Sequence, residues 1–358
     1  MKLSYADHRA DPGAWAAALG VSREAVELTL ASEILDLHVD SFIWHRILGY
    51  DLTKRHGHGL LGARFYSQVD LPRLREANIG GATWVITTNP SRGARGRAEA
   101  FSRNLAELVR VLSSVPEDVA VVRNVAEYRA ARAAGKHAAF IGVQGGNALD
   151  HDPASLDRIT DDLVLRVTLV HLSTSSLGVT SSPLAGGGDG SLTDRGREFV
   201  RALNARKIFV DLAHISRKGF FDALDVHDKT QPVLVTHTGV DAVHRHWRNL
   251  TDEQIRRVAD LGGTIGIMYQ SSFLGPSVLR GKLAWIADHL AHVISLVGDD
   301  HVSLGSDWDG AIVPPHDMPT CLELPRLVDE MLRRGWSTAT IQKILAGNAL
   351  RTIEALRG

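Results

Sequence analysis

The sequence predicts an α/β fold, a (β/α)8 TIM-type barrel, on three observations. Short β-branched runs recur along the chain, about eight of them, which is the number such a barrel needs. Segments with helical spacing of apolar residues lie between the runs. Nearly every run ends on a residue that can bind a metal or move a proton, and barrel sites are built where strands end.

The first run, residues 34–37, leads into His38 and Asp40, and the second spans 83–87. The third, 139–143, leads into Gln144, and the fourth, 165–170, into His171. The fifth, 208–212, closes near His214, and the sixth, 233–236, on His237. The seventh, 264–268, closes on Tyr269, and the eighth, 302–305, near Asp307. Helices are predicted over 104–112, 194–204, 252–261, 283–296 and 322–334, each with apolar residues three and four apart. Thr193-Asp194 and Thr251-Asp252-Glu253 precede two of them and can accept bonds from free first-turn N–H groups. Residues 1–32 are expected to form a helical preamble, with Pro12 suited to a first helical turn, and 33–358 a single barrel domain. Two long loops, 44–66 and 173–192, would overhang the barrel mouth, each a substrate wall or a mobile surface loop.

Composition narrows the partners. At 358 residues and 44% hydrophobic, the chain can bury a large core, and its length suits one decorated barrel. Its net charge of −1 argues against nucleic acid, and the arginines between Arg92 and Arg132 read as a solvated helix face. No apolar stretch approaches the roughly eighteen residues of a membrane span. The first fifteen residues lack the apolar core of a signal peptide, and the one cysteine, Cys321, forms no internal disulfide. A soluble protein of a reducing, cytoplasmic compartment is expected.

His38-Val39-Asp40 is the first chemical motif. Residues two apart on a strand share one side, so imidazole and carboxylate can share one metal. His214 and His237 add two ligand candidates, with a buried histidine bonded to a carbonyl as the alternative for each. In Gly305-Ser306-Asp307-Trp308-Asp309-Gly310 one aspartate can act as general base, whereas an Asx turn suits Asp309 better than Asp307. Competing signatures fail on context. Gly57-His58-Gly59-Leu60-Leu61-Gly62 has the dinucleotide spacing but follows the basic Lys54-Arg55-His56 where a buried strand is required. Gly186-Gly187-Gly188 lacks the Lys-Ser/Thr of a phosphate loop, and neither a His-Glu-x-x-His helix nor a Gly-x-Ser-x-Gly elbow occurs. Hydrolysis by metal-activated water remains.

Five segments together resemble the membrane dipeptidase (renal dipeptidase) family of the amidohydrolase superfamily. They are Asp36-Leu37-His38-Val39-Asp40, Asp70-Leu71-Pro72-Arg73-Leu74-Arg75 followed by Gly80-Gly81-Ala82-Thr83-Trp84, Leu192-Thr193-Asp194-Arg195-Gly196-Arg197, Val210-Asp211-Leu212-Ala213-His214-Ile215-Ser216, and the Asp307 segment. The likeness runs in order from about Asp36 to Asn348. It implies a metal-dependent hydrolase-like barrel with two zinc ions that cleaves dipeptides, often with a D-residue at the C-terminal position, and a homodimer. By that resemblance His38 and Asp40 hold one zinc, and His214 and His237 the other. His171 contacts the scissile carbonyl, Arg248 clamps the substrate carboxylate, Asp307 transfers the proton, and Tyr269 lies with the substrate-binding residues.

One position departs from the pattern. Gln144 stands where the family has the glutamate that bridges the two metals, and Asn147 where it often has histidine. Two divalent ions at the roughly 3.5 to 4 Å of a binuclear site repel by something near 20 kcal/mol at an effective dielectric of 20, which anionic ligands must offset. Losing a bridging charge should weaken at least one site, and Asp150 sits too far past the strand end to replace it. Three readings follow: a zinc-dependent dipeptidase with one or two ions, a mononuclear amidohydrolase of different specificity such as a deaminase, and a non-catalytic relative that keeps the carboxylate clamp for binding.

Overall fold

The computed structural model describes residues 2–59, 61–89, 91–150, 153–183 and 189–358, so Gly186-Gly187-Gly188 and Leu60 lie outside the described residues. Eight parallel strands form the barrel wall: β1 Leu35–Val39, β2 Gly81–Thr87, β4 His137–Gln144, β5 Val164–Thr168, β6 Phe209–Asp211, β7 Leu234–Thr238, β8 Thr264–Ile267 and β9 Val302–Leu304. They neighbour one another in chain order, and a short strand, β3 Val119–Val121, pairs with the start of β4 on the edge that β5 takes further along. The ring closes where β1 meets the segment after β9. The Asp40 N–H donates to the Trp308 carbonyl at 2.8 Å, and the Asp307 N–H to the His38 carbonyl at 3.1 Å.

Barrel strands are covered on both faces, so their β-branched runs stay apolar throughout instead of alternating. All eight predicted runs are strands. The predicted helices are present as well, numbered here with the rest in chain order. They comprise α1 Pro12–Leu19, α2 Arg23–Ala31, α3 Phe42–Leu48, α4 Leu71–Glu76, α5 Ala94–Leu112, α6 Val125–Ala133 and α7 Asp194–Ala205. After these come α8 Arg217–Val226, α9 Asp252–Asp260, α10 Ser271–Leu274, α11 Leu283–Val297, α12 Leu324–Arg333, α13 Thr338–Gln342 and α14 Asn348–Arg357. Thr193 caps α7, and Thr251 with Gln254 forms a capping box on α9. Of the preamble helices, α1 starts with Pro12 behind the Asp11 cap, and α2 lies against α12, tied by the Ser22 hydroxyl donating to Asp329 at 2.6 Å.

The N-terminal ends of the strands are sealed by oil. Leu35, Phe140, Leu165, Phe209 and Leu234, from five strands, pack with Leu350 and Ile353 of α14 in one buried cluster. The other end of the barrel is polar. No helix among the described residues is long and apolar enough to cross a membrane.

Candidate metal centre and active site

Each strand delivers its side chain at the C-terminal end. His38 is the fourth residue of β1, and Asp40 follows the strand on the same side. His237 is in β7, His214 lies three residues past β6, and Asp307 three past β9. His214 and Asp307 hold left-handed backbone, with φ of +66° and +63°, a conformation unfavourable to most side chains that turns these two back toward the barrel axis.

The structure brings His38, His237 and Asp307 together, all buried, with ligand atoms within 4.8 Å of one another. His38 Nε2 lies 3.5 Å from Asp307 Oδ1 and 3.9 Å from Asp40 Oδ2. That nitrogen is buried without a hydrogen-bond partner among the described residues. Asp40 in turn accepts from the Thr87 hydroxyl at the end of β2. The other two predicted ligands face this group. His214 Nε2 and His237 Nε2 are 2.8 Å apart, and the Gln144 amide nitrogen lies 3.2 Å and 3.4 Å from them. Gln144 Oε1 accepts from Thr87 at 3.2 Å. Gln144 therefore stands between the two halves of the cluster.

A network that sequence reasoning missed lies beneath. Arg166 of β5, fully buried, donates to Asp211 at 3.0 Å and Thr168 at 2.8 Å, and its other terminal nitrogen lies 2.8 Å from His38 Nδ1. Asp211 also accepts from the hydroxyls of Thr168 and Thr236, and Thr236 bonds His237 Nδ1 at 3.0 Å. The orientation of both β1 and β7 histidines is thus set by one buried arginine–aspartate pair. A lone arginine inside the apolar run 165–170 was the available signal.

Burial sets the charge states. It lowers the imidazoles of His38, to about 4, and of His214 and His237 well below the ordinary range, so that all three are neutral, as ligand imidazoles must be. Burial, and then the adjacent Asp40 charge, push the Asp307 carboxyl well above its usual value. Asp40 is held below its ordinary value: burial raises it, and the nearby His38 imidazole together with the Thr87 hydroxyl lowers it further than that.

The remaining predicted residues fall around this centre. The His171 ring meets His214 edge-on at 4.7 Å. Arg248 is buried, donates to the His237 carbonyl at 2.6 Å, leaves its Nε without a partner among the described residues, and is lowered by burial to about 10. Tyr269 is buried edge-on against Trp308 at 5.0 Å. Asp309 holds the closure instead of the centre. It accepts from the Ser41 hydroxyl and the Gln68 N–H, and its own N–H donates to Gln68. Asp150 is engaged by Arg97 at 3.0 Å and by Ser176. The expected loop from residue 44 begins instead with helix α3, where His45 bonds Glu107 of α5, and beyond it His56 bonds the Asp51 carbonyl. The described part of the 173–192 loop is pinned to the His214 turn, the Ser181 N–H donating to the His214 carbonyl at 2.7 Å and the Ser216 N–H to Val179 at 3.0 Å.

Compared with known families, residues 22–357 match the model of membrane dipeptidase, peptidase family M19. The chain belongs to that family. Membership places it in a class of metal-dependent dipeptidases and amidohydrolases. Among its relatives are the dipeptidase tcpJ of Claviceps purpurea, 28% identical over 294 residues (80% of this chain, 68% of that one), and an uncharacterized protein in the pqqA 5′ region of Klebsiella pneumoniae. The latter is 35% identical over 166 residues, which is 46% of this chain and 60% of the relative's length. A Rhodobacter sphaeroides metallopeptidase liganded with a phosphinate mimic of L-Ala-D-Ala has the same fold, with a TM-score of 0.75 at 24% identity over 91% of this chain and 99% of that one.

Proposed function

We propose that this chain hydrolyses dipeptides, or similar small amides with a free carboxylate, with one tightly held zinc ion. The observation that carries the reading is the convergence of His38, His237 and Asp307, with Asp40 beside them, at the C-terminal end of the barrel. The donor set fits a zinc ion: two neutral imidazoles and two carboxylates, with one imidazole nitrogen, His38 Nε2, buried without a hydrogen-bond partner among the described residues. A zinc ion there would supply Lewis-acid polarisation of the carbonyl and a nucleophile at neutral pH. A second ion fits less well, because Gln144 presents a neutral amide, already bonded to Thr87, where the family's bridging charge belongs.

The residues of the chain divide the rest of the work. Arg248 holds the substrate carboxylate, its planar fork suited to a bidentate pair. His171 donates to the carbonyl oxygen as negative charge develops there. Asp307 takes a proton from the attacking water and returns it to the leaving amine. Tyr269 lines the substrate side. The L-Ala-D-Ala mimic held by the Rhodobacter metallopeptidase supports including C-terminal D-residues among the substrates. A cytoplasmic location and a homodimer accompany this reading, from composition and the family resemblance respectively.

Zinc per chain by elemental analysis, after equilibration and desalting, with turnover of L,L and L,D dipeptides on the same sample, tests it. One zinc with turnover is the expected result. Two zincs would show that Gln144 or a neighbour supports a binuclear centre. Turnover of other amides alone would move the chain to the different-specificity reading, and neither zinc nor turnover to a binding protein.

A further inference from the structure

On one side the barrel mouth opens into a cavity of about 780 Å³, within the range of small-molecule sites. Its walls come from α3, the β2–α5 connection, α5 and the segments after β4 and β5, and it reaches the metal centre at Thr87 and His171. Its charge is unbalanced. Four arginines line it, Arg46, Arg92, Arg97 and Arg103, against one acid, Glu107. Glu107 is taken by Arg110 at 2.7 Å and His45 at 3.2 Å, and Arg97 by Asp150. Among the described residues Arg46, Arg92 and Arg103 have no carboxylate partner, and Arg46 Nε is buried with no hydrogen bond. Arg46 is the one nearest the chemistry. Its Nη2 donates to the carbonyl of Thr87, whose hydroxyl bonds Asp40. Ile43, Ile86 and Phe101 supply an apolar wall beside it.

The ring order gives this cavity a direction. It sits over β1, β2, β4 and β5, while Arg248 follows β7, across the mouth from β2. A substrate whose carboxylate is held by Arg248 and whose amide lies at the metal centre must point its acyl side into the cavity. We propose that Arg46, supported by Arg92, binds a carboxylate on that acyl side, so that preferred substrates are small amides negatively charged at both ends. The apolar wall seats the intervening methylenes, and the half-buried guanidinium pairs with the carboxylate where water is scarce. This rests on the hydrolase reading above.

The test compares Glu-Ala with Gln-Ala, equal in size and different by one charge. In the wild type, kcat/KM should favour Glu-Ala at least tenfold. The ratio should fall below threefold in Arg46→Gln and fall partially in Arg92→Gln, an exposed position whose side chain makes no bond among the described residues. A wild-type ratio near one overturns the assignment, as does a ratio unchanged in Arg46→Gln. If Arg46→Gln does not fold, an unchanged ratio in Arg92→Gln overturns it. If the wild type cleaves neither dipeptide, the hydrolase reading has failed, and calorimetry with the same two intact dipeptides decides the cavity. Tenfold tighter binding of Glu-Ala that is lost in the variants supports the site, and equal binding of the two dipeptides refutes it.

Discussion

The two halves of the metal centre differ in charge more than in shape. On one side His38, Asp40 and Asp307 bring two carboxylates to one imidazole, with His237 within reach. On the other, His214 and His237 face each other across a neutral amide, Gln144. The backbone that places the second half is as well built as the first, down to the left-handed turn at His214. On the one-ion reading proposed above, a scaffold for two ions persists with the charge for only one, since strand ends fix where ligands stand while their formal charge decides how many cations they hold.

Asp307→Asn should do the most damage, lowering kcat by about 10² to 10⁴, the usual worth of a positioned proton-transfer group. Zinc content is the companion measurement. Retention with lost turnover assigns Asp307 to proton transfer, whereas loss of both makes it chiefly a ligand and redraws the charged half. Gln144→Glu is the direct attempt to erase the difference between the halves. Zinc per chain is expected to rise from one toward two, and dipeptide turnover with it; no gain in either would mean that the site is rebuilt around glutamine. Arg248→Ala should raise KM at least tenfold for substrates with a free carboxylate and less than threefold for their amides, and an equal rise in both would remove the clamp.

The smallest effect lies outside both halves and gives a metal-free reference for their buried imidazoles. His137 accepts from the Trp84 indole at 3.1 Å, bonds the Ile79 carbonyl at 2.9 Å, and is pushed down by burial to about 3. Its folded pKa lies below the unfolded value near 6.5, so the unfolded chain binds the extra proton first. Its contribution to stability is complete above pH 6.5 and shrinks as pH falls toward 3. Between pH 7 and 5.5 the loss is about 1 kcal/mol. Denaturant unfolding of His137→Gln should show an acid-induced loss smaller than wild type by that amount, and identical losses would place His137 in a hydrated setting.

Much of the fold was legible because a barrel strand, covered on both faces, writes itself as an unbroken apolar run. The strand Val119–Val121 escaped notice because three residues carry no period. Helix α5 begins ten residues before the predicted start, its Arg- and Gly-containing first turns showing no apolar face. The reading of its arginines as a solvated face holds for Arg95, which is exposed and paired with Glu99, and fails for Arg97, which turns inward to Asp150. The convergence of His38, Asp40, His214, His237 and Asp307 was legible because barrel strand ends meet at one mouth. Arg166, Asp211 and Thr236 were not, because their partnership depends on which strands adjoin, and that is a property of the closed ring. The Arg46 cavity was hidden for the same reason.

The left-handed residues His214 and Asp307 carry a further implication for how this protein changes under selection. Glycine tolerates such backbone freely, while other side chains there cost on the order of 1 kcal/mol or more each. A population screened only for heat resistance should drift to glycine at these positions and discard an imidazole and a carboxylate, becoming sturdier as it falls chemically silent. In this molecule endurance and reactivity compete for the same few peptide units.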